Sequence, residues 1–129
     1  MNLLEDLQES VVCGDGAMGT ELMGAGVPIE VCLEEVNLSN PDLVFRIHEA
    51  YIAVGSRVIE TNTFGANRIR LTKYGLESKV RELNSTAVAI AKRAAAGHDI
   101  CVAGSVGPLG VYNEEVKAQK IDVDKIYSG

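Results

Sequence analysis

Positive charge is scarce in this sequence: 12 lysines and arginines stand against 18 acids, giving a net charge of −6 and a pI near 4.9. That balance repels a polyanion such as nucleic acid, or an anionic membrane surface, so neither is expected as a partner. Long apolar runs are missing too. None approaches the roughly 20 residues that a membrane-spanning helix needs. The start, Met1-Asn2-Leu3-Leu4-Glu5-Asp6, has no cationic region, apolar core or small-residue cleavage site of a secretory signal, so a cytoplasmic protein is expected. Cysteine is sparse as well. Cys13, Cys32 and Cys101 are widely spaced and odd in number, which argues against a disulfide frame and for reduced, buried thiols. The two histidines have no partner at metal-ligand spacing and are given no role: His48 falls within a helix and His98 is expected at the surface.

What is present is ordinary globular composition, 47% hydrophobic and 23% charged over 129 residues. Residues 3–9 suit a short entry helix capped by Asn2. Ser10-Val11-Val12-Cys13 is apolar and β-branched, and predicts a strand over 10–14. The twenty or so residues that follow, broken by Gly24, Gly26 and Pro28, read as a loop with one helical turn around 20–23. Asn40-Pro41-Asp42 is a strong helix start, and Leu43, Val44, Ile47, Tyr51 and Val54 keep helical spacing up to Gly55. A second strand is expected over 57–61, a short helix over 66–73 and a longer one from Ser78 to Gly97. The third strand is expected over 100–104, and a helix capped by Asp122 begins near Val123. Strands alternating with helices predict parallel pairing through right-handed crossovers. Three parallel strands with an open edge make a poor stand-alone domain, so the chain is expected to be part of a larger α/β fold.

The chemistry gathers where strands end, the edge at which α/β proteins hold ligands. Residues 14–19 formally match the dinucleotide fingerprint G-x-G-x-x-G. The match is rejected because Gly24, Gly26 and Pro28 break any long helix after it, and because Asp15 would set negative charge against pyrophosphate. Asp15 has two readings: a carboxylate free to accept from an ammonium or a hydroxyl, with Gly16 allowing close backbone approach, or a cap for the turn near Thr20. Glu60-Thr61-Asn62-Thr63-Phe64-Gly65-Ala66-Asn67 ends the second strand. It can hydrogen-bond an amino-acid-sized ligand with Phe64 as an apolar wall, or simply satisfy a βα turn. Residues 105–110, taken alone, are a plain turn at the same edge.

Together these segments resemble a known family. Asp15-Gly16-Ala17-Met18-Gly19-Thr20-Glu21-Leu22, the helix opened by Asn40-Pro41, Glu60 to Asn67, and Ala103-Gly104-Ser105-Val106-Gly107-Pro108 are similar, in that order, to the homocysteine S-methyltransferase family over residues 10–111. It is the homocysteine-binding module of methionine synthases, of betaine-dependent enzymes and of fusions to a reductase. The resemblance implies an α/β fold, with these 129 residues forming the first three βα units of an incomplete (β/α)8 TIM barrel, the N-terminal part of a homocysteine-binding domain. It implies methyl transfer from a donor to the thiol of homocysteine, giving methionine. The partners it implies are those two small molecules, a missing C-terminal remainder, and a fused reductase or folate domain that supplies donor contacts. Carried over by position, Asp15, Gly16, Thr61 and Thr63 would hold the amino-acid end of homocysteine, with Asn62 and Phe64 beside them. The family's cofactor is zinc, held by three cysteines that turn the substrate thiol into a thiolate. Cys13, Cys32 and Cys101 match none of those positions, so the resemblance assigns this chain no catalytic residue and no metal ligand. Two rival readings are a non-catalytic assembly module and, less favoured, a nucleotide-binding half-domain.

Overall fold

Two short parallel strands, β1 (Val58–Glu60) and β2 (Cys101–Ala103), lie at the centre of the computed structural model, which describes residues 1–111, 117 and 121–128. Their register pairs Val58 with Cys101, Ile59 with Val102 and Glu60 with Ala103. On the other side of β1, Gly14 forms a parallel bridge with Val58. There the Arg57 N–H donates to the Cys13 carbonyl (2.8 Å) and the Asp15 N–H to the Val58 carbonyl (2.9 Å). Three parallel segments therefore stand side by side in chain order, as alternation of strand and helix requires.

The first segment departs from the expected strand over 10–14: only residues 13–15 meet β1. In the parallel register residues 10–12 lie opposite residues 54–56, the turn that leads into β1, so no ladder is available to them. Val11 is accordingly 98% exposed. Cys13 joins β1 through its carbonyl, but its side chain is exposed, which corrects the expectation of three buried thiols; Cys32 is buried, Cys101 half-buried, and all three are free.

The helices pack around this centre. α1 (Leu3–Glu9) forms without the side-chain cap expected from Asn2. Its Asp6 meets the Arg57 guanidinium at 3.4 Å, and the same guanidinium meets Asp99 at 2.6 Å. The stretch read as loop contains α2 (Met18–Gly24), a 3₁₀ turn at Leu33–Glu35 and α3 (Val36–Ser39). Burial fixes these pieces, because Leu22 and Val36 join Val44, Ile47 and Ile90 in one apolar cluster. α4 (Pro41–Ala53) begins where Asn40 Oδ1 accepts the Leu43 N–H (3.3 Å), and it ends before Gly55 at φ 106°.

α5 (Arg68–Thr72) is capped by Asn67, whose Oδ1 accepts the Arg70 N–H at 3.0 Å. A 3₁₀ turn at Glu77–Lys79 leads into α6 (Val80–Ala95). Leu83, Ala87, Ile90, Ala91 and Ala94 form the buried face of α6, and Ile59 of β1 packs against Ala91 and Ala94. α7 (Val123–Ser128) starts at the expected cap, with Asp122 Oδ1 accepting the Lys125 N–H at 3.0 Å. His98 is exposed, but His48, expected only to sit in a helix, is fully buried on the face of α4 that carries Val44 and Ile47. Among the described residues no helix is long and apolar enough to cross a membrane.

Candidate functional site

The three parallel segments end together, and the cavity at their carboxyl ends has a volume of about 420 Å³. Asp15, Gly16, Thr61, Asn62, Thr63 and Phe64, the residues singled out from the sequence, all line it. They play unequal parts in the wall.

Asp15 does not cap α2. The N-cap of α2 is Ala17, with no side-chain bond, and Asp15 Oδ2 instead accepts the Glu60 N–H across the strand ends at 2.9 Å. Burial holds the Asp15 carboxyl above its ordinary value despite that hydrogen bond, and the charge of Glu60 pushes the same way.

Thr61 and Thr63 are both buried, with their hydroxyl oxygens 2.7 Å apart. The Thr63 hydroxyl donates to the Ser105 carbonyl (2.7 Å), and Thr61 Oγ1 accepts the Ser105 N–H (3.1 Å). A hydroxyl has one proton, so Thr61 is the donor within the threonine pair. Each oxygen has then given its proton and accepted one bond, which leaves one lone pair on each. The pair can accept from a ligand and cannot donate to it.

Asn62 faces away from any ligand role in its hydrogen bonds. Its Nδ2 donates to the Leu33 carbonyl (2.9 Å) and to Asn37 Oδ1 (3.1 Å), while Asn37 Nδ2 donates back to the Asn62 carbonyl at 2.9 Å. This closed amide pair fixes α3 and the turn before it over the cavity. Phe64 is 53% exposed, with the Arg70 guanidinium 5.6 Å from its ring centre.

Several members of the site were not apparent in the sequence. Glu34 Oε1 accepts the Gly65 N–H (2.6 Å), and Glu34 Oε2 accepts from the Cys32 thiol (3.3 Å). The Tyr51 hydroxyl donates to the Ala17 carbonyl (3.1 Å). Arg70 is the cation of the cavity wall. Asn67 gave a signal for Arg70, since it caps the helix that carries it; nothing local marked Glu34 or Tyr51. A second, larger cavity of about 730 Å³ lies between α6 and α7 and shares Thr63, Phe64 and Ser105 with the first, but no carboxylate among the described residues lines it.

The described residues do not fit zinc. Among them no group of three or more His, Cys, Asp and Glu side chains is placed to hold a metal ion. Burial and the neighbouring Glu34 charge push the Cys32 thiol up to about 11, away from the thiolate a metal needs.

The model of the homocysteine S-methyltransferase family matches residues 12–128. Two methionine synthases are similar over 118 residues, that of Mycobacterium leprae (strain TN) at 39% identity and that of Mycobacterium tuberculosis (strain ATCC 25618 / H37Rv) at 37%. In both cases the match covers 83% of this chain and 10% of the relative. The homocysteine methyltransferase MmuM from Escherichia coli, in its metallated form, superposes with a TM-score of 0.72 at 29% identity over 84% of this chain and 41% of MmuM. Its oxidized form gives the same TM-score at 28% identity. The chain thus spans a minor part of each of these proteins.

Proposed function

This chain belongs to the homocysteine S-methyltransferase family, and on that premise we propose that the protein carrying it transfers a methyl group from a donor to the sulfur of homocysteine. In that reaction the sulfur–carbon bond of methionine forms, the bond between methyl and donor breaks with its electrons kept by the donor, and the thiol proton is lost. Residues 1–129 act as the N-terminal part of the homocysteine-binding domain. Their three parallel segments are the opening βα units of a (β/α)8 barrel, and the rest of that barrel or a fused reductase or folate domain brings the donor. The protein works in the cytoplasm.

One observation carries the reading: Asp15 and the acceptor-only hydroxyls of Thr61 and Thr63 line one cavity at the strand ends. A carboxylate with two oxygens that can only accept suits an ammonium group, which has three protons to donate. The substrate ammonium is assigned to Asp15 and the two threonines, its backbone to the open face of Gly16, and its side chain to the wall formed by Phe64. Asn62 holds α3 and the turn before it over the cavity. In the family, zinc supplies a thiolate from the substrate thiol; no residue described here holds it, and these residues bind and orient the amino-acid end only.

The test uses the full-length protein that carries these residues. Methionine formation is measured with L-homocysteine and, in turn, methyltetrahydrofolate, betaine and S-methylmethionine. Turnover with one donor is expected. Asp15→Asn is expected to weaken homocysteine binding about five- to tenfold, since a charge-assisted bond worth about 1.5–3 kcal/mol becomes a neutral one worth about 0.5–1.5 kcal/mol. Turnover with none of the donors, or unchanged homocysteine affinity in Asp15→Asn, overturns the proposal.

A further inference from the structure

We infer that Tyr51 is a positioning residue for homocysteine, holding through Ala17 the turn that presents Asp15 and Gly16; the inference rests on the reading of that turn as part of the substrate site. Tyr51 lies near the end of α4, and its hydroxyl reaches the carbonyl of Ala17, 34 positions earlier in the chain, at 3.1 Å.

The phenol also occupies the space where a side chain at position 16 would stand. A Cβ on Gly16 would lie 2.8 Å from Tyr51 Oη, 3.1 Å from Cε1 and 3.2 Å from Cζ. Gly16 is not among the glycines with positive φ, so its backbone conformation does not demand glycine. The ring does. Any side chain there has to displace the phenol, and the phenol cannot move without leaving Ala17.

The turn is therefore held at both ends. On the strand side, Asp15 is fixed by its N–H to the Val58 carbonyl (2.9 Å) and by its carboxylate to the Glu60 N–H (2.9 Å). On the helix side the Ala17 carbonyl accepts from the neighbouring Thr20 hydroxyl (3.3 Å), a contact within the turn itself, and from Tyr51, which ties the turn to α4. Its ring is packed against the cluster of Leu22, Val44 and Ile47, so the ring stays seated when the hydroxyl is removed. Burial, with the charges of Glu21 and Asp15, raises the phenol above its ordinary value, and the hydroxyl remains a donor at neutral pH. Loss of the hydroxyl unties Gly16 and Ala17 from α4, leaving only the local Thr20 bond on the Ala17 carbonyl, while Asp15 stays in its ladder. Substrate is then held by a turn of less defined shape, which weakens binding and leaves the reacting sulfur's environment untouched.

The experiment is steady-state kinetics on the full-length protein with homocysteine varied and the methyl donor saturating. Tyr51→Phe is expected to raise KM for homocysteine about fivefold with kcat unchanged, the scale of one neutral hydrogen bond. Gly16→Ala is expected to raise KM at least as much. Because it acts by pushing the same hydroxyl away, Tyr51→Phe added to Gly16→Ala is expected to cost nothing further. Asn40→Ala is the control: it removes the cap at the far end of α4 and lowers the melting temperature without moving KM.

An unchanged KM in Tyr51→Phe overturns the inference. So does an equal rise in Asn40→Ala, or additive losses in the double variant. A wild-type protein that turns over no homocysteine overturns the proposed function instead, so the two failures are distinct.

Discussion

Asp15 carries a conflict that a purely structural carboxylate would avoid. Its hydrogen bond to the Glu60 N–H favours the charged form, yet burial outweighs that bond and Glu60 adds repulsion, so the carboxyl stands above its ordinary value of 3.8. The sign follows from linkage. A carboxyl raised in the folded protein takes up its proton at a higher pH than in the unfolded chain, so stability is gained as pH falls from the raised value to 3.8, and the charged form is a cost above that window. Asp15→Asn keeps an oxygen to accept the Glu60 N–H and removes the charge. At pH 7 its melting temperature is expected to equal or exceed that of the wild type, with the difference closing as the solution is acidified, while homocysteine binding is weakened. A melting temperature clearly below the wild type at pH 7 would mean that the charge supports the fold, and would remove this sign of a site kept for function. Wild-type affinity for homocysteine is expected to fall on acidification from a pH above 3.8, as the carboxylate that meets the ammonium is neutralised.

At the scale of elements, α4 shows both what the sequence makes legible and what it hides. Its start at Asn40-Pro41 and its end before Gly55 follow from local chemistry, as does the buried stripe through Val44, Ile47 and Tyr51. The pairing of parallel segments and the gathering of Asp15, Thr61 and Thr63 at one edge were equally readable, because strand ends and alternation decide them. His48 was not. Position 48 shares the buried stripe, and its ring is fully buried with neither nitrogen hydrogen-bonded among the described residues. α2, α3 and the 3₁₀ turn at Leu33–Glu35 were hidden for a related reason. Glycine and proline dominate the local signal between residues 19 and 28, whereas Leu22 and Val36 are ordered by side chains of α4 and α6. Glu34 binds the Gly65 N–H 31 positions away, a contact no local pattern encodes. For His48, burial lowers the ring from 6.5 to about 4, so the folded state binds fewer protons than the unfolded chain between those values. Stability is full above pH 6.5 and is lost as pH falls toward 4, by about 3 kcal/mol at 1.36 kcal/mol per unit. His48→Leu, which fits the apolar stripe, is expected to flatten the loss of melting temperature between pH 6.5 and 4 and to raise stability at pH 7 by about 1–3 kcal/mol, the cost of an unsatisfied buried polar group. A His48→Leu protein with the wild-type pH profile would place the acid sensitivity elsewhere.

Among the described residues the sheet is open on both sides, and the proposed site lacks one function. Nothing among the described residues pairs with the outer edge of residues 13–15 or with the far edge of β2, and Val11 is left almost wholly in solvent. The edge proposed to hold substrate is closely tied together: Asp15 meets Glu60, the threonines meet Ser105, and Asn62 meets Asn37. A group to draw the proton from the substrate thiol is not part of that assembly. The thiol of Cys32 is bound to Glu34 and held in its protonated form up to about 11, Cys13 is exposed, and Cys101 lies within β2. On the proposed function, binding and activation are separate tasks, and the described residues supply side chains for the first alone. The purified 129-residue chain is expected to take up no stoichiometric zinc and to form no methionine from homocysteine with any of the three donors. Zinc per chain by atomic absorption after dialysis, together with methionine formation with and without added zinc, measures both. One equivalent of tightly held zinc, or zinc-dependent turnover, would show that these residues can assemble an activating centre after all and would end the division between an edge that binds and a remainder that activates.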